Sequence, residues 1–233
     1  MILIDYEKLP EQMKNEITKQ YYNKLLKKKA SLIAKRIFDI IASLILLILL
    51  SPIILLLAIL IKIDSKGPVF YRQERVTTYG RKFRIFKFRT MVQNADKIGT
   101  LVTIGNDNRI TRIGKEIRKI RLDEVPQLIN VLKGEMTFVG TRPEVQKYVD
   151  KYTDEMKATL LMPAGVTSVA SIKFKDEDEI LEKAVKKGKD TDLAYVEDVL
   201  PEKMKYNLEY ISKFSFWYDM KICVNTVIGV LKW

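Results

Sequence analysis

The longest uninterrupted hydrophobic stretch of the sequence lies in its first third. No charged side chain occurs between Ile40 and Ile61, and about 20 apolar residues suffice for a helix to cross a bilayer. Ser51 and Pro52 stand in the middle of this stretch, where proline removes a backbone donor and predicts a kink. The Ser51 hydroxyl can donate to the carbonyl oxygen that proline leaves free. The pattern favours a membrane helix over the core helix of a water-soluble domain.

Basic residues flank this apolar stretch on both sides, which leaves its topology open. The positive-inside rule places lysine and arginine on the cytoplasmic side of a membrane segment. A re-entrant helix, which returns to the side it entered, satisfies both flanks, whereas a kinked spanning helix satisfies only one. On the residues alone, both topologies remain. The flanking cations are Lys24, Lys27, Lys28, Lys29, Lys35 and Arg36 before the stretch, and Lys62 and Lys66 after it.

Residues 1–33 form an amphipathic, lysine-rich lead-in with helical spacing. Its lysines suit an anionic membrane surface, but an ordinary solvated helix explains them equally well. The chain then divides into this lead-in, a membrane segment at residues 34–63 and a cytoplasmic part at residues 64–233. The apolar side chains of the lead-in can face lipid or a protein core; they are Tyr21, Tyr22, Leu25, Leu26, Leu32 and Ile33.

Two short segments after the membrane stretch have the composition of β-strands. The first is VFYRQERV, which follows the turn signal SKGP, and the second lies in RKFRIFKFRTM. In the second segment, Phe83 and Ile85 alternate with Arg84 and Phe86. Interleaved aromatic and basic side chains can stack nucleotide bases and bind phosphates, but an edge strand kept soluble by charge shows the same pattern.

Helical spacing returns in GKEIRKIRLDEVPQLINVLKGEM and breaks near Asp123 and Pro126. The second half of this segment has an apolar face and ends at Gly134, which suits a helix C-cap. Asp123 and Glu124 therefore lie at or just before a helix start. The helix dipole is enough to favour acids at that position. The pair therefore indicates either a helix start or a site for metal or phosphate. Upstream, residues 101–113 look irregular, with a turn at residues 105–108.

The last third of the chain predicts mainly helices. MPAGVTSVASIKF predicts a loop followed by a strand, and KDEDEILEKAVKKGKD predicts a solvated helix with its acids first and its lysines last. The closing FSFWYDMKICVNTVIGVLKW is amphipathic and predicts a helix that packs in the core or lies at the membrane interface. Together, these patterns predict an α+β fold, mainly helical, in which a small cytoplasmic domain with amphipathic interfacial helices adjoins the membrane segment.

Composition then limits the chemistry. Of the 233 residues, 41 are Lys or Arg and 29 are Asp or Glu, a formal net charge of +12. That charge favours polyanionic partners such as nucleic acid, anionic membranes or phosphorylated substrates. The absence of histidine excludes Ser-His-Asp and Cys-His catalysis and histidine-bound zinc, and the single cysteine, Cys223, excludes an internal disulfide. A metal here must be a hard ion bound by oxygen.

The cations around the acid pair indicate phosphate chemistry. Arg118 and Arg121 lie within a few residues of Asp123 and Glu124. Nearby cations lower carboxylate pKa values, so we expect both acids to be ionised. Such a pair fits a Mg²⁺–pyrophosphate site, and aspartate is also a covalent phosphoryl acceptor. Arg142 follows in FVGTRPE, and arginine is suited to bidentate contact with phosphate.

The ordered set of motifs resembles a known family. In order, the chain contains KRIFD, the apolar stretch with Ser51-Pro52, GPVFYRQERV, FRIFKFRTM, ITRIGKEIRKIRLDEVPQLINVLKGEMTFVGTRPE and LEYISKFSFWYDMKI. This set resembles the bacterial sugar transferases that act on polyprenyl phosphate, the small monotopic phosphoglycosyl transferases. The resemblance runs from Ala34 to the C-terminus, and its most specific parts are LDE-PQL-NVLKG-M and KFRTM.

The resemblance implies a reaction and a role for particular residues. In this family an aspartate attacks the β-phosphate of a UDP-sugar and UMP leaves; polyprenyl (undecaprenyl) phosphate then takes the phosphosugar, giving a polyprenyl-diphosphate sugar. Asp123 matches the nucleophile, and Glu124 matches the neighbouring Mg²⁺ ligand, with Asp123 beside the ion. The resemblance implies Lys87, Arg89, Arg118 and Arg142 as phosphate-binding residues, and Lys35 and Arg36 as the basic pair at the membrane face.

The resemblance also implies where the enzyme works. The family's re-entrant helix, broken at Ser-Pro, matches Ser51-Pro52. It implies a monotopic protein of the bacterial inner (cytoplasmic) membrane whose catalytic domain faces the cytoplasm. No further apolar segment precedes this part, as expected for the minimal form of the family. The expected partners are a UDP-sugar, polyprenyl phosphate and membrane lipids, without nucleic acid, and a homodimer is left open.

Two departures from the family pattern concern the donor sugar. Thr141 stands where proline usually precedes Arg-Pro. MPAGVTSVAS replaces Arg-Pro-Gly-Ile-Thr-Gly, with Met162 at an arginine position and Ala164 inserted. The sugar and the pathway therefore stay undetermined. Two other functions remain open, a membrane-anchored basic binding module and a Mg²⁺-dependent nucleotide-sugar phosphohydrolase. The binding module is disfavoured because the acids lie inside the basic cluster, which a nucleic-acid surface would avoid.

Overall fold

A computed structural model describes residues 3–95, 107–174 and 177–231 of the chain. The described part is mostly helical with two small sheets, which confirms the predicted α+β, mainly helical class. The α-helices are α1 (Glu16–Leu26), α2 (Lys29–Asp64), α3 (Arg112–Lys119), α4 (Gln127–Lys133), α5 (Gln146–Val149), α6 (Asp154–Lys157), α7 (Val169–Lys173), α8 (Glu177–Lys186), α9 (Thr191–Ala194), α10 (Leu200–Lys213) and α11 (Phe216–Leu231). The strands are β1 (Phe70–Val76), β2 (Lys82–Phe88), β3 (Met136–Val139) and β4 (Ala164–Thr167).

The lead-in packs on the rest of the protein. Two 3₁₀ turns precede α1, and the Asn15 side chain caps α1 by accepting a hydrogen bond from the Thr18 amide. The apolar side chains of the lead-in were expected to face either lipid or a protein core. Most of them pack in the core, while Leu26 and Ile33 are exposed. The lead-in residues that share the core with the C-terminal helices are Leu3, Leu9, Met13, Tyr22, Leu25 and Leu32.

Helix α2 is continuous through the Ser51-Pro52 step. Pro52 cannot donate to the carbonyl oxygen of Ile48, and the Ser51 hydroxyl donates to it instead at 2.8 Å. The predicted compensation by serine is therefore confirmed. The predicted break is not observed, because the helical backbone continues from Lys29 to Asp64. Among the described helices, α2 alone is long and apolar enough to cross a membrane.

Both ends of α2 contact the globular part, and its middle does not. Several side chains of residues 32–43 are buried near the first end. Near the second end, Leu57 and Ile61 pack against β2 and α3. Between these ends most apolar side chains are exposed; Ile48 is 64% exposed and Leu49 is 66% exposed. This apolar middle is the kind of surface that a bilayer covers.

Strands β1 and β2 form an antiparallel hairpin, as their composition predicts. Phe83 and Ile85 of β2 face a small core that they share with α4, β3 and β4. Across the hairpin, Arg72 pairs with Phe86, and the Arg72 guanidinium lies 3.4 Å from the centre of the Phe86 ring. At least one aromatic–basic pair in this segment therefore forms a cation–π contact within the hairpin itself.

Strand β3 follows α4 directly and pairs in parallel with β4. Gly134 ends α4 with a φ of 79°, as predicted for a C-cap. A Cβ on Gly165 of β4 would lie 2.2 Å from the Gly140 amide nitrogen, so only glycine fits there. Both departures from the family pattern lie inside the protein. Met162 is buried in the core. Thr141 is also buried, and its backbone carbonyl oxygen accepts from the Gly165 amide at 2.7 Å, a bond that proline could accept equally well.

The segment after β4 differs from the prediction. VASIKF forms helix α7 rather than a strand, because the Ser168 side chain accepts a hydrogen bond from the Ser171 amide and so caps a helix. The charged segment forms the helix α8, and the closing amphipathic segment forms α11, both as predicted. Of the irregular stretch expected at 101–113, residues 101–106 lie outside the described part, and α3 already begins at Arg112.

Candidate active site

The acid pair lies on a 3₁₀ turn between α3 and α4. The turn spans Leu122–Glu124, and Pro126 is the N-cap residue of α4, so the acids do lie just before a helix start. Arg121 precedes the turn in the left-handed conformation with a φ of 54°. Such a conformation costs a non-glycine residue about 1–3 kcal/mol. It redirects the chain between the two helices and thereby helps to place the two carboxylates.

Glu124 is bound by two cations. Its Oε1 accepts from the Lys87 ammonium at 2.8 Å and from the Arg142 guanidinium at 3.1 Å. Burial alone would raise the pKa of Glu124, but Arg142 and Lys87 outweigh burial and hold the pKa well below its usual range. Glu124 is therefore ionised at neutral pH, as the basic sequence context predicted.

Asp123 is in a different state from its neighbour. Its carboxylate makes no hydrogen bond or ion pair with any described residue. Burial raises the pKa of Asp123, and Glu124 adds to the rise while Lys87 opposes it. The prediction that cations lower the pKa of both acids is therefore wrong for Asp123, because no cation is close enough to outweigh burial. Its carboxylate oxygens remain available for attack or for binding an ion.

Three of the four basic residues predicted to bind phosphate lie around this pair. Lys87 comes from the end of β2, and Arg142 comes from the loop after β3. Burial lowers the pKa of Lys87 although Glu124 opposes the change, whereas Glu124 raises the pKa of Arg142. Arg118 of α3 is near enough to act electrostatically on Asp123. The site therefore combines two carboxylates with three cations from three separate elements.

Arg89, the fourth basic residue, lies at the end of α2. Its Nη2 donates to the carbonyl oxygens of Ile61 at 3.3 Å and Ser65 at 2.6 Å, and to the Ser65 hydroxyl at 2.9 Å. Arg89 therefore caps the C-terminus of α2. The structure does not bring it to the acid pair, because these bonds hold the guanidinium at the helix end. Its Nε and Nη1 are buried without a partner among the described residues.

The basic pair expected at the membrane face anchors α2 instead. Lys35 is 3% exposed, and its ammonium donates to the Asp219 carboxylate at 2.5 Å and to the Val139 carbonyl oxygen at 2.7 Å. Arg36 donates to two carbonyl oxygens in the last turn of α4. The expectation that Lys35 faces lipid phosphate is therefore wrong, because its charge is fully used inside the protein. Ser51 and Pro52 are the remaining candidates for the membrane face, and both are exposed in the middle of α2.

Further bonds complete the attachment of α2. The Tyr210 hydroxyl donates to the Asp219 carboxylate at 2.9 Å. Asp39 accepts from the Thr137 hydroxyl at 2.7 Å and from the amide of the next residue at 3.1 Å. We call Lys35, Asp39, Tyr210 and Asp219 the anchor cluster. This cluster was not predicted from the sequence, although Asp219 as a lone acid in an apolar segment was a usable signal, since a buried acid requires a partner.

The acid pair is the candidate place for a metal ion. Among the described residues, no group of three or more His, Cys, Asp or Glu side chains could hold one. Mg²⁺, however, is commonly bound by one or two carboxylates together with substrate phosphates and water. The unbonded Asp123 carboxylate beside the fixed Glu124 fits that kind of binding.

Comparison with known proteins shows the family of the chain. The family model described as bacterial sugar transferase matches residues 30–233. The chain belongs to the bacterial sugar transferase family. The family match contains all of α2 except its first residue, together with the acid pair, its three cations and the anchor cluster.

Several curated relatives of this sugar transferase have specific names. It is 36% identical over 75% of its length to the UDP-N-acetylgalactosamine-undecaprenyl-phosphate N-acetylgalactosaminephosphotransferase of Aeromonas hydrophila, covering 38% of that protein. It is 35% identical over 73% of its length to the UDP-glucose:undecaprenyl-phosphate glucose-1-phosphate transferase of Escherichia coli K12, covering 34% of that protein. It is 34% identical to the uncharacterized sugar transferase EpsL of Bacillus subtilis, with 74% of each chain covered. The chain thus spans little more than a third of the first two relatives.

Proposed function

We propose that this sugar transferase moves a sugar-1-phosphate from a UDP-sugar to polyprenyl (undecaprenyl) phosphate. The products are UMP and a polyprenyl-diphosphate sugar, formed at the first membrane step of surface polysaccharide or glycoconjugate synthesis. The observation that carries the proposal is the difference between two adjacent acids: Glu124 is bound by two cations, and Asp123 is bound by none. The names of the Aeromonas and Escherichia relatives, which both include undecaprenyl phosphate, support the choice of acceptor.

In the proposed first step, a carboxylate oxygen of Asp123 attacks the β-phosphorus of the UDP-sugar. The new oxygen–phosphorus bond forms as the bond from the β-phosphorus to the bridging oxygen breaks. UMP leaves with that oxygen and its electron pair. An ionised carboxylate needs no base to remove a proton, which suits a chain without histidine.

In the proposed second step, an oxygen of polyprenyl phosphate attacks the same phosphorus, and the Asp123 carboxylate leaves. Both steps gather negative charge on phosphate oxygens beside the protein. Lys87 and Arg142, already next to Glu124, stabilise that charge by donating to those oxygens. Arg118 adds to the positive potential around Asp123.

The residues present fit Mg²⁺ as the metal of this reaction. When bound, the ion offsets the negative charge of the pyrophosphate that would otherwise repel Asp123. Glu124 is the carboxylate placed to hold it, with Asp123 beside it. Lys87 and Arg142 keep Glu124 in one orientation through their bonds to Oε1.

We propose that α2 is re-entrant and that the protein is monotopic at the cytoplasmic face of the bacterial inner membrane. A straight helix of 36 residues is about 54 Å long, whereas the hydrocarbon core is about 30 Å thick. If α2 spanned the bilayer, Lys35 and Arg89 would lie on opposite sides, yet both belong to one folded unit. A bend at Pro52 would keep both ends on one side.

The C-terminal helix supports the same placement. Helix α11 packs against α2, and several of its outward side chains are large and apolar. Trp217 is 78% exposed, and Val224 and Val227 are more than half exposed. Tryptophan favours the boundary between headgroups and hydrocarbon. This face therefore supports an interfacial position for α11 beside the first half of α2.

The function is tested by measuring UMP release from purified protein with Mg²⁺ and a panel of UDP-sugars, with and without undecaprenyl phosphate. We expect lipid-dependent release from one donor and none from Asp123→Asn. A phosphosugar adduct on Asp123 supports the covalent route, and a strictly sequential rate law excludes it. Release that ignores the lipid indicates a phosphohydrolase instead.

The topology is tested with single cysteines at positions 27 and 66 in a Cys223→Ser background. Both positions flank α2 on its two sides. A membrane-impermeant thiol reagent added outside intact spheroplasts should label neither cysteine if α2 is re-entrant with both ends in the cytoplasm. Labelling of one position alone contradicts the proposal and indicates a spanning helix.

A further inference from the structure

The loop that carries Arg142 is attached to a second buried group of charges. Glu144 lies two residues beyond Arg142 and is 6% exposed. It accepts from the Tyr195 hydroxyl at 2.6 Å. The Lys203 ammonium donates to the same hydroxyl at 2.8 Å and lies 3.4 Å from Glu144 and 3.2 Å from Glu177. We call Glu144, Glu177, Tyr195 and Lys203 the Lys203 cluster.

Strand β1 holds the same loop through independent bonds. The Val76 amide donates to the Glu144 carbonyl oxygen at 2.9 Å. The Arg75 guanidinium donates to the Pro143 carbonyl oxygen at 3.1 Å and to the Gln73 side chain through Nε and Nη2. Residues 142–144 are therefore fixed by the hairpin, by α10 and by the π-helical turn Tyr195–Val199 that precedes α10.

The Lys203 cluster has no part in the proposed phosphoryl transfer. A buried lysine and glutamate cost free energy that well-packed apolar residues of the same volume would not. A fully bonded polar network, in contrast, fixes its members in one arrangement. Arg142 carries this loop to the acid pair, where its guanidinium lies 3.1 Å from Glu124. A network that fixes this loop therefore fixes that distance.

We propose that Lys203 and Glu144 are positioning residues for Arg142. They act by holding residues 142–144 in place, so that the Arg142 guanidinium stays on Glu124 and can donate to the donor phosphates. Neither residue touches the reacting atoms. The inference rests on the proposed function for its kinetic test, whereas its structural test is independent of activity.

The kinetic test is a double-mutant cycle between Lys203→Met and Arg142→Lys, read as kcat/KM for lipid-dependent UMP release. A small displacement of a substrate-binding group lowers the rate about a hundredfold, and we expect that loss for Lys203→Met. In the Arg142→Lys background, the same replacement should lower kcat/KM by less than about threefold. Equal losses in both backgrounds overturn the proposal, because Lys203 would then act independently of Arg142.

The matched control is Lys205→Met. Lys205 lies on the same helix and is exposed, and among the described residues it pairs only with Glu202, one turn earlier, so its replacement should leave kcat/KM unchanged. Glu144→Gln is a second test that keeps the size of the side chain and an acceptor for Tyr195. It should lower kcat/KM in the same Arg142-dependent way. If the unaltered protein releases no UMP from any donor, the proposed function fails, and the structural test below decides the positioning role.

The structural test is hydrogen exchange at the Val76 amide, whose acceptor is the Glu144 carbonyl oxygen. Lys203→Met should speed exchange at this amide about tenfold or more, because the loop that supplies the acceptor loosens. Amides of α4 should keep their rates, and Lys205→Met should change neither. Unchanged exchange at Val76 in Lys203→Met overturns the proposal, and faster exchange throughout the protein would indicate a general loss of stability instead.

Discussion

Two regions of this protein pair a lysine with a carboxylate, and they use the pair differently. In the anchor cluster, Lys35 and Asp219 are almost fully buried, and each also binds a second group, the Val139 carbonyl oxygen or the Tyr210 hydroxyl. In the acid-pair site, Lys87 and Glu124 are partly exposed, and the adjoining Asp123 has no bonded partner among the described residues.

The difference lies in how many polar groups remain available. Both charges of the Lys35–Asp219 pair are met inside the protein, and both side chains are almost fully buried, so the pair can attach a helix but a ligand cannot reach it. The acid-pair site keeps one carboxylate and several N–H donors unused at a partly open surface. Similar residues therefore give attachment in one place and a candidate reaction centre in the other.

The largest expected effect is a loss of activity from a change in the acid-pair site that leaves stability intact. Asp123→Asn should lower kcat about 10⁴-fold or more, because it removes the proposed nucleophile. It should not lower the melting temperature, since burial disfavours the ionised form of Asp123, as its raised pKa shows. Lipid-dependent UMP release and calorimetry in detergent measure both. Substantial activity in this variant would mean that Asp123 is not the attacking group.

The next effect concerns stability. Lys35→Met leaves Asp219 buried without its cation and should destabilise the protein by about 3–5 kcal/mol. The control is Lys62→Met, because Lys62 is exposed near the other end of α2. This replacement should change the free energy of unfolding little. Denaturant unfolding in a constant detergent compares them.

A second replacement sharpens this prediction. Lys35→Met combined with Asp219→Leu should recover much of the lost stability, because an apolar pair of similar volume can replace a buried ion pair. If the double variant is as unstable as the single one, the charges themselves, rather than the unpaired acid, are what the fold requires.

A smaller effect depends on pH. Burial raises the pKa of Glu144, but Lys203 and Arg75 outweigh burial and leave it below its usual range. A depressed folded pKa contributes stability above the unfolded pKa of about 4.3, and that stability is lost as the pH falls through the folded value. Below pH 5, the unaltered protein should therefore lose more stability than Glu144→Gln does. Parallel melting curves from pH 7 to 3 would contradict this.

The smallest effect uses Cys223 as a reporter of the region around the anchor cluster. Burial raises the pKa of the Cys223 thiol to about 11. At pH 8, iodoacetamide should therefore react about two hundredfold more slowly than with an exposed thiol, from the thiolate fractions alone. Mass spectrometry follows the reaction, and unfolding in guanidinium should restore the ordinary rate. Rapid alkylation of the folded protein would mean that this region is open.

Local signals in the sequence predicted a large part of the site. The position of the acid pair just before a helix, the helix that starts after Pro126 and the cap at Gly134 depend on neighbours within a few residues, and all three are confirmed. The roles of Lys35 and Arg89 were not predictable in this way. Lys35 binds a carboxylate 184 residues away, and a basic residue near a membrane segment gives no sign of whether it faces lipid or a distant acid.

Backbone conformation was the other gap. Nothing in the sequence marks Arg121 for the left-handed region, because arginine has no preference for it. Helix α7 was mistaken for a strand because Val169 and Ile172 favour strands, whereas the cap supplied by Ser168 and the surrounding packing favour a helix. In both cases, contacts formed in the folded protein outweigh the local conformational preference of the residue.

Because both ends of α2 are fixed to one domain, the proposed re-entrant helix would add cross-sectional area to a single leaflet of the bilayer. The opposite leaflet would gain none, so the membrane would be under less stress where the occupied leaflet is the convex one. Inserted amphipathic elements respond to curvature in this way. The transferase would then sort according to membrane shape as well as lipid composition, and would itself favour local bending at high density.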